Sequence, residues 1–172
     1  MPNKALTFEE DFKEQIVFRI QENSSRIEKC LSLLSEEEVW LQSGPETNSI
    51  ANLILHLCGN IGQFIISSLG EKKDFRHREL EFSSRKGFTK NELYEKMETT
   101  CSAAIKVING SSMEKLQKVR SVQGFKMTGL AACIHVAEHY SYHTGQIALL
   151  TKLFSKKDLG FYADFDLDLK NE

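Results

Sequence analysis

His139 and His143 stand four residues apart in the run His139-Tyr140-Ser141-Tyr142-His143-Thr144-Gly145-Gln146. On an α-helix that spacing stacks two side chains on one face, with Cβ atoms about 5–6 Å apart. Imidazole nitrogens bind a transition metal at about 2.0–2.1 Å, so two such rings can converge on one ion. A third ring is available at His56, in another apolar segment some eighty residues upstream. The chemistry within reach of this set is that of an open three-histidine centre, in which a divalent cation keeps positions free for a nucleophile.

His135 lies one more step of four upstream. Neighbours at that spacing diverge by about 40°, and the outer two of three by about 80°. His139 and His143 are therefore the pair expected to share an ion, with His135 a turn away as a supporting or core residue. The run differs from the HExxH of zinc proteases, because Tyr140 stands where the catalytic glutamate would be. Glu138 points about 100° away from His139. A histidine alone on an apolar helix is more often a hydrogen-bonded core residue than a ligand. The case here rests on rings from two charge-poor segments meeting.

Four long helices must position these rings. The first spans about Phe8 to Leu34, with Phe12, Ile16, Ile20, Ile27, Leu31 and Leu34 at helical spacing. Ser35 with Glu38 forms a capping box for one short extra helix, and Gly44-Pro45 then breaks the chain. The second long helix starts at Asn48 or Ser49 and ends at Gly70, read as its C′ residue. Thr47 to Gly70 carries no charge. Its polar residues Asn52, His56, Asn60, Gln63 and Ser67 form one stripe, which suits a central bundle helix facing an internal cleft better than a membrane span.

Glu71 to Phe88 reads as a charged irregular excursion, with His77 solvated. Thr89 with Glu92 opens the third helix, which stops at Gly110. Ser111 to Gln117 suits one or two turns, and Val119 to Phe125 an extended piece turning at Gln123-Gly124. The fourth helix spans about Thr128 to Phe154 and pairs with the second as inner neighbour. The tail Phe161 to Leu169 alternates apolar and acidic residues, the pattern of an extended segment. Its aspartates lack the Gly and terminal Glu of a calcium loop.

A chain of 172 residues suits a single domain, taken as 1–172 with its core at about 8–155. A net charge of −2 and a pI near 6.2 give no electrostatic footing for nucleic acid or an anionic membrane. The N-terminal residues show no export signal, and Cys30, Cys58, Cys101 and Cys133 are widely spaced. Reduced, buried thiols in a cytoplasmic protein are the expectation.

Taken together, Trp40, the segment Asn48-Ser49-Ile50-Ala51-Asn52-Leu53-Ile54-Leu55-His56-Leu57-Cys58-Gly59-Asn60, the order of helices and the stretch from Glu138 to Ile147 resemble the DinB/YfiT-like superfamily. The resemblance spans about residues 8 to 155 and implies an all-α four-helix bundle. It also implies a divalent metal on His56, His139 and His143, and a homodimer. Members with known activity are thiol-dependent transferases and isomerases using bacillithiol, mycothiol or glutathione.

Three neutral imidazoles leave a dication uncompensated and favour an anionic further ligand. The leading expectation is a low-molecular-weight thiol ionised on zinc or nickel and attacking a small electrophile. A hydrolase using water at the same ligands is its rival, and a non-catalytic metal- or ligand-binding stress protein is the alternative from another class. Asn60 and Gln146, each a turn beyond a ligand, are candidates for orienting substrate or water. They are as readily read as buried amides bonded to each other. Arg76, Arg78 and Arg85 are candidates for meeting an anionic thiol, or a solvated loop.

Overall fold

The computed structural model describes residues 5–170, so the first four residues of the stretch examined for an export signal lie outside it. In chain order, α1 (Phe8–Ser32) and a short α2 (Glu36–Trp40) lead to α3 (Ile50–Ile61), which continues as a π-helical stretch, Gly62–Leu69. Then come short α4 (Arg78–Ser83), long α5 (Lys90–Asn109), short α6 (Met113–Gln117), hairpin strands β1 (Val119–Val122) and β2 (Phe125–Thr128), and α7 (Gly129–Ser155).

Four of these helices open on a reciprocal cap. The hydroxyls of Thr7, Ser35, Ser49 and Thr89 each accept the N–H three residues on, and the side chains of Glu10, Glu38, Asn52 and Glu92 accept the cap N–H in return. Each box satisfies donors that a helix start otherwise leaves orphaned.

The architecture is an all-α four-helix bundle. The long helix α1 packs on α5 and α7, and α3 with its π-helical stretch packs on the same two. Thus α1 and α3 lie across one diagonal, and α5 and α7 across the other. Consecutive long helices on a diagonal need long crossovers. One crossover carries α2, and the other carries α6 and the hairpin. Ile20, Ile27, Ile54, Leu57, Met97 and Ile147 are buried between the four helices. All four cysteines are free and buried.

Ile50–Leu69 is long and apolar enough to cross a membrane, but 72% of its apolar window is buried inside the fold. The bundle itself is the apolar medium that this segment faces.

Several expectations are corrected. The excursion after Gly70 is not wholly irregular, since it contains α4. Gly70 keeps a right-handed conformation, φ −77°, and Glu71 takes the left-handed one, φ 56°. Glycine is needed at 70 because a Cβ would collide with the Ile66 carbonyl. The extended piece is the first strand of a hairpin pairing Val119 with Thr128 and Val122 with Phe125. Gln123 and Gly124 both have positive φ, as the commonest two-residue hairpin turn demands.

The tail is turns rather than extended chain. Its aspartates bond their own backbone: Asp158 Oδ1 accepts from Gly160 N–H at 3.3 Å, and Asp166 Oδ1 from Asp168 N–H at 3.0 Å. Arg26 anchors the tail by donating to the Tyr162 hydroxyl at 2.7 Å, and Phe165, Leu167 and Leu169 stay exposed.

Candidate metal centre

Leu53, Ile54, Leu57 and Ile61 bury most of α3 and leave His56 on the side facing α7. From α7, His139 and His143 meet it. His56 Nε2 lies 3.1 Å from His139 Nε2, and His143 Nε2 lies 3.2 Å from the same atom. One nitrogen from each ring falls within 4.8 Å of the others. Ligands held about 2.0–2.1 Å from one ion stand roughly 2.9–3.4 Å apart at octahedral or tetrahedral angles. Both short separations fall in that span.

Proton placement tests whether the cluster suits a cation. Glu81 Oε2 accepts from His56 Nδ1 at 2.8 Å. With the Gln146 amide group turned to Tyr142, Gln146 Oε1 accepts from His143 Nδ1 at 2.6 Å. Both Nδ1 atoms therefore carry hydrogen, and in neutral rings both Nε2 atoms are bare lone pairs. His139 Nε2 can donate to one of them but not both. Its Nδ1 is buried without a partner among the described residues. A shared cation satisfies all three Nε2 lone pairs, which a hydrogen-bond network does not, while His139 Nδ1 stays without a partner in either case. The donor set fits a divalent transition metal.

Electrostatics act in the same direction. Burial, then repulsion from His143 and His56, holds His139 down at about 3. Burial also lowers His143, against the opposing bond to Gln146. Both rings are then neutral at pH 7, as ligands must be.

The residues that orient His56 were not legible in the sequence. Burial would raise the Glu81 carboxyl, but bonds from Arg76 and His56 outweigh it and hold the group below its ordinary range. Arg76 grips it with both arms: Nε to Oε1 at 2.7 Å and Nη2 to Oε2 at 2.9 Å. The two side chains are only 4% and 8% exposed. Arg76 Nη2, 3.2 Å from His56 Nδ1, shares that carboxylate with the ring.

Asn52 ties α4 down, donating to the carbonyls of Glu81 and Ser84 at 2.9 Å each. Gln63 accepts from Arg76 Nη1 at 2.9 Å and donates to Asp74 at 2.7 Å. A Cβ at Gly59 would collide with Glu81 Oε1, so the ion pair packs against bare helix backbone. Much of the polar stripe of α3 therefore faces the excursion, not an open internal cleft. Only His56 and Asn60 reach α7.

The other candidates separate cleanly. Gln146 sits on the cluster, at His143. Asn60 Nδ2 instead lies 3.3 Å from His135 Nε2, and the His135 ring packs tilted against Phe64, with centroids 4.4 Å apart. The two amides do not bond each other. Tyr142 is 63% exposed with its ring 5.0 Å from His143, bordering the cluster toward solvent. Tyr140 is fully buried, its hydroxyl 2.9 Å from Ser24 Oγ. His77 is exposed. Arg85 is bound to the carbonyls of Phe82 and Ser84, and Arg78 lies 4.8 Å over the Phe82 ring. Arg76 is neither solvated nor free to meet an anionic thiol.

Residues 7–162 match the family described as a protein of unknown function, DUF1572. No curated protein matches the chain significantly. Among solved structures, it is similar to a conserved protein from Enterococcus faecalis, with a TM-score of 0.73 at 14% identity, covering 89% of this chain and 100% of that one. A DinB-like protein from Bacillus subtilis gives 0.65 at 16% identity, covering 84% and 94%. YfiT from Bacillus subtilis gives 0.67 at 12% identity, covering 90% and 93%, and is described as a probable metal-dependent hydrolase with an unusual four-helix bundle topology. Identities this low establish a common fold, the DinB/YfiT-like bundle.

Proposed function

Since the chain belongs to the DUF1572 family and folds as a DinB/YfiT-like bundle, we propose that it is a metal-dependent enzyme activating a small nucleophile at His56, His139 and His143. The observation that carries this reading is the pair of lone pairs, on His56 and His143, converging on His139 Nε2 at 3.1 and 3.2 Å. His56, His139 and His143 would hold a divalent transition metal, zinc or nickel, which would supply Lewis acidity able to bring the ionisation of a thiol or water toward neutral pH.

The chain's own residues hold and orient this centre. Glu81 keeps the His56 proton on Nδ1, so that Nε2 faces inward. Gln146 does the same for His143. Glu81 touches neither His139 nor His143, and its oxygens are occupied by Arg76 and His56. The donor set is therefore all neutral, which favours an anionic nucleophile.

We assign that nucleophile to a low-molecular-weight thiol and the reaction to S-transfer of the whole thiol: its sulfur, having lost its proton, bonds to a small electrophile, whose leaving group departs with the bonding pair. The protein's own thiols are unsuited: burial pushes Cys58 and Cys133 up to about 12 and raises Cys30 and Cys101. The sulfur must come from a co-substrate of the bacillithiol, mycothiol or glutathione kind. A cytoplasmic homodimer is part of the same proposal, and light scattering checks the dimer.

The second reading, hydrolysis by water at the same ligands, is favoured by the description of YfiT. A panel of electrophiles offered to metal-loaded protein with and without thiols separates the two. Turnover that depends on thiol supports transfer. Turnover in water that thiols leave unchanged means a hydrolase. Bound metal with no turnover across the panel means a binding protein.

A further inference from the structure

A cleft of about 460 Å³ opens between α3, α5 and the segment leading into α4, a size typical of small-molecule sites. Arg76 and Glu81 form part of its wall, but none of the three clustered histidines lines it. It is a chamber behind the metal centre.

Its floor is helix backbone at Gly59 and Gly62. Glu81 explains the glycine at 59. Nothing in the packing explains the one at 62, where a Cβ would meet no atom within 4 Å. Glycine weakens a helix relative to alanine, so Gly62 costs stability while leaving that floor open. It also begins the π-helical stretch, a distortion frequent at functional sites.

The walls are apolar, with Leu55, Ile66, Phe75, Leu80 and Phe88. Phe75 and Leu80 are 73% and 60% exposed. Two cations rim them: Lys73 Nζ lies 5.1 Å over the Phe75 ring, and Lys96 Nζ 5.8 Å over the Phe88 ring. Among the described residues neither lysine has a carboxylate within 4.0 Å, whereas Lys13, Arg26 and Lys115 each do. The wall carboxylates are already engaged. Glu81 holds Arg76 and His56, and Asp74 accepts from Gln63 and the Arg76 N–H. The charge left for a ligand is positive.

We propose that this cleft binds an apolar carboxylate, an aliphatic or aryl acid whose hydrocarbon part lies over Gly62 and whose anionic end meets Lys73 and Lys96. This site is independent of the metal-centre reading.

Trp40 is the sole tryptophan, and its Nε1 donates to the carbonyl of Phe88 in the cleft wall at 3.0 Å. Its fluorescence should therefore report filling. Octanoate is titrated into the full chain, with calorimetry in parallel and octanol and octylamine as controls. Saturable one-to-one binding of octanoate is expected, at least tenfold tighter than octanol, with no binding of octylamine. Gly62→Leu should abolish it with a circular dichroism melt no lower than the parent's. The double change Lys73→Glu with Lys96→Glu should weaken it tenfold or more. His143→Ala should keep octanoate binding while losing metal, so the two readings fail separately. The proposal is overturned if octanoate gives no saturable response, if octanol binds as tightly, or if folded Gly62→Leu and the lysine double variant bind like the parent.

Discussion

Glu81 Oε2 lies 2.8 Å from His56 Nδ1, and the same carboxylate is held in a two-point grip by Arg76. A short helix in the excursion thus reaches back to orient a ring on the central helix. Carboxylates behind metal-binding histidines fix the ring and raise its basicity.

The first prediction concerns the ion itself. Protein purified without chelator should carry close to one divalent transition metal per chain by elemental analysis. His56→Ala, His139→Ala and His143→Ala should each lose it. Unchanged metal content in His143→Ala would falsify the three-histidine centre.

Glu81→Gln should keep the bundle and weaken metal affinity by about 10–100-fold in chelator competition. Glu81→Ala should also destabilise the fold by about 3–5 kcal/mol in urea, because it strands the buried Arg76 guanidinium. Equal metal affinity in parent and Glu81→Gln would remove Glu81 from the site.

Two glycines a turn apart should behave oppositely. Gly59→Ala drives a methyl into the Glu81 carboxylate and should lower both stability and metal affinity. Gly62→Ala meets nothing and should be neutral or stabilising by up to about 1 kcal/mol. Denaturant melts of the pair, with metal titration, decide this.

Metal-free protein should lose stability as pH falls below neutrality. His139 takes up its proton near 6.5 when unfolded but only near 3 when folded. Between those values the unfolded chain binds more protons, so unfolding is favoured as pH drops. The slope is at most about 1.4 kcal/mol per pH unit for this group, reduced where solvent screens it. Glu81, held below its ordinary 4.5, adds a loss of the same sign as pH falls through its folded value. His139→Gln should flatten the slope between pH 6.5 and 4 in urea titrations, and an unaltered slope would contradict this assignment.

Contacts confined to three or four residues could be read directly from the chain. The boxes at Ser35 and Thr89, the stop at Gly110 and the stacking of His139 with His143 are of this kind, because helical geometry alone dictates which side chains meet. His56 could be singled out since a charge-free helix has few polar residues to choose among.

Arg76 and Glu81 were hidden among the many charges of the excursion. A buried ion pair and a solvated one have the same composition and differ only in what covers them. Asn60 and Gln146 hold equivalent places one turn past a histidine, yet one meets His135 and the other His143. The Gln146 contact is a local one within α7, but the Asn60 contact depends on how α3 and α7 lie against each other, which no spacing within one helix encodes. The sequence by itself determined the four long helices and the candidate ligands. Only tertiary packing decided which groups orient those ligands, because burial and proton placement depend on neighbours distant along the chain.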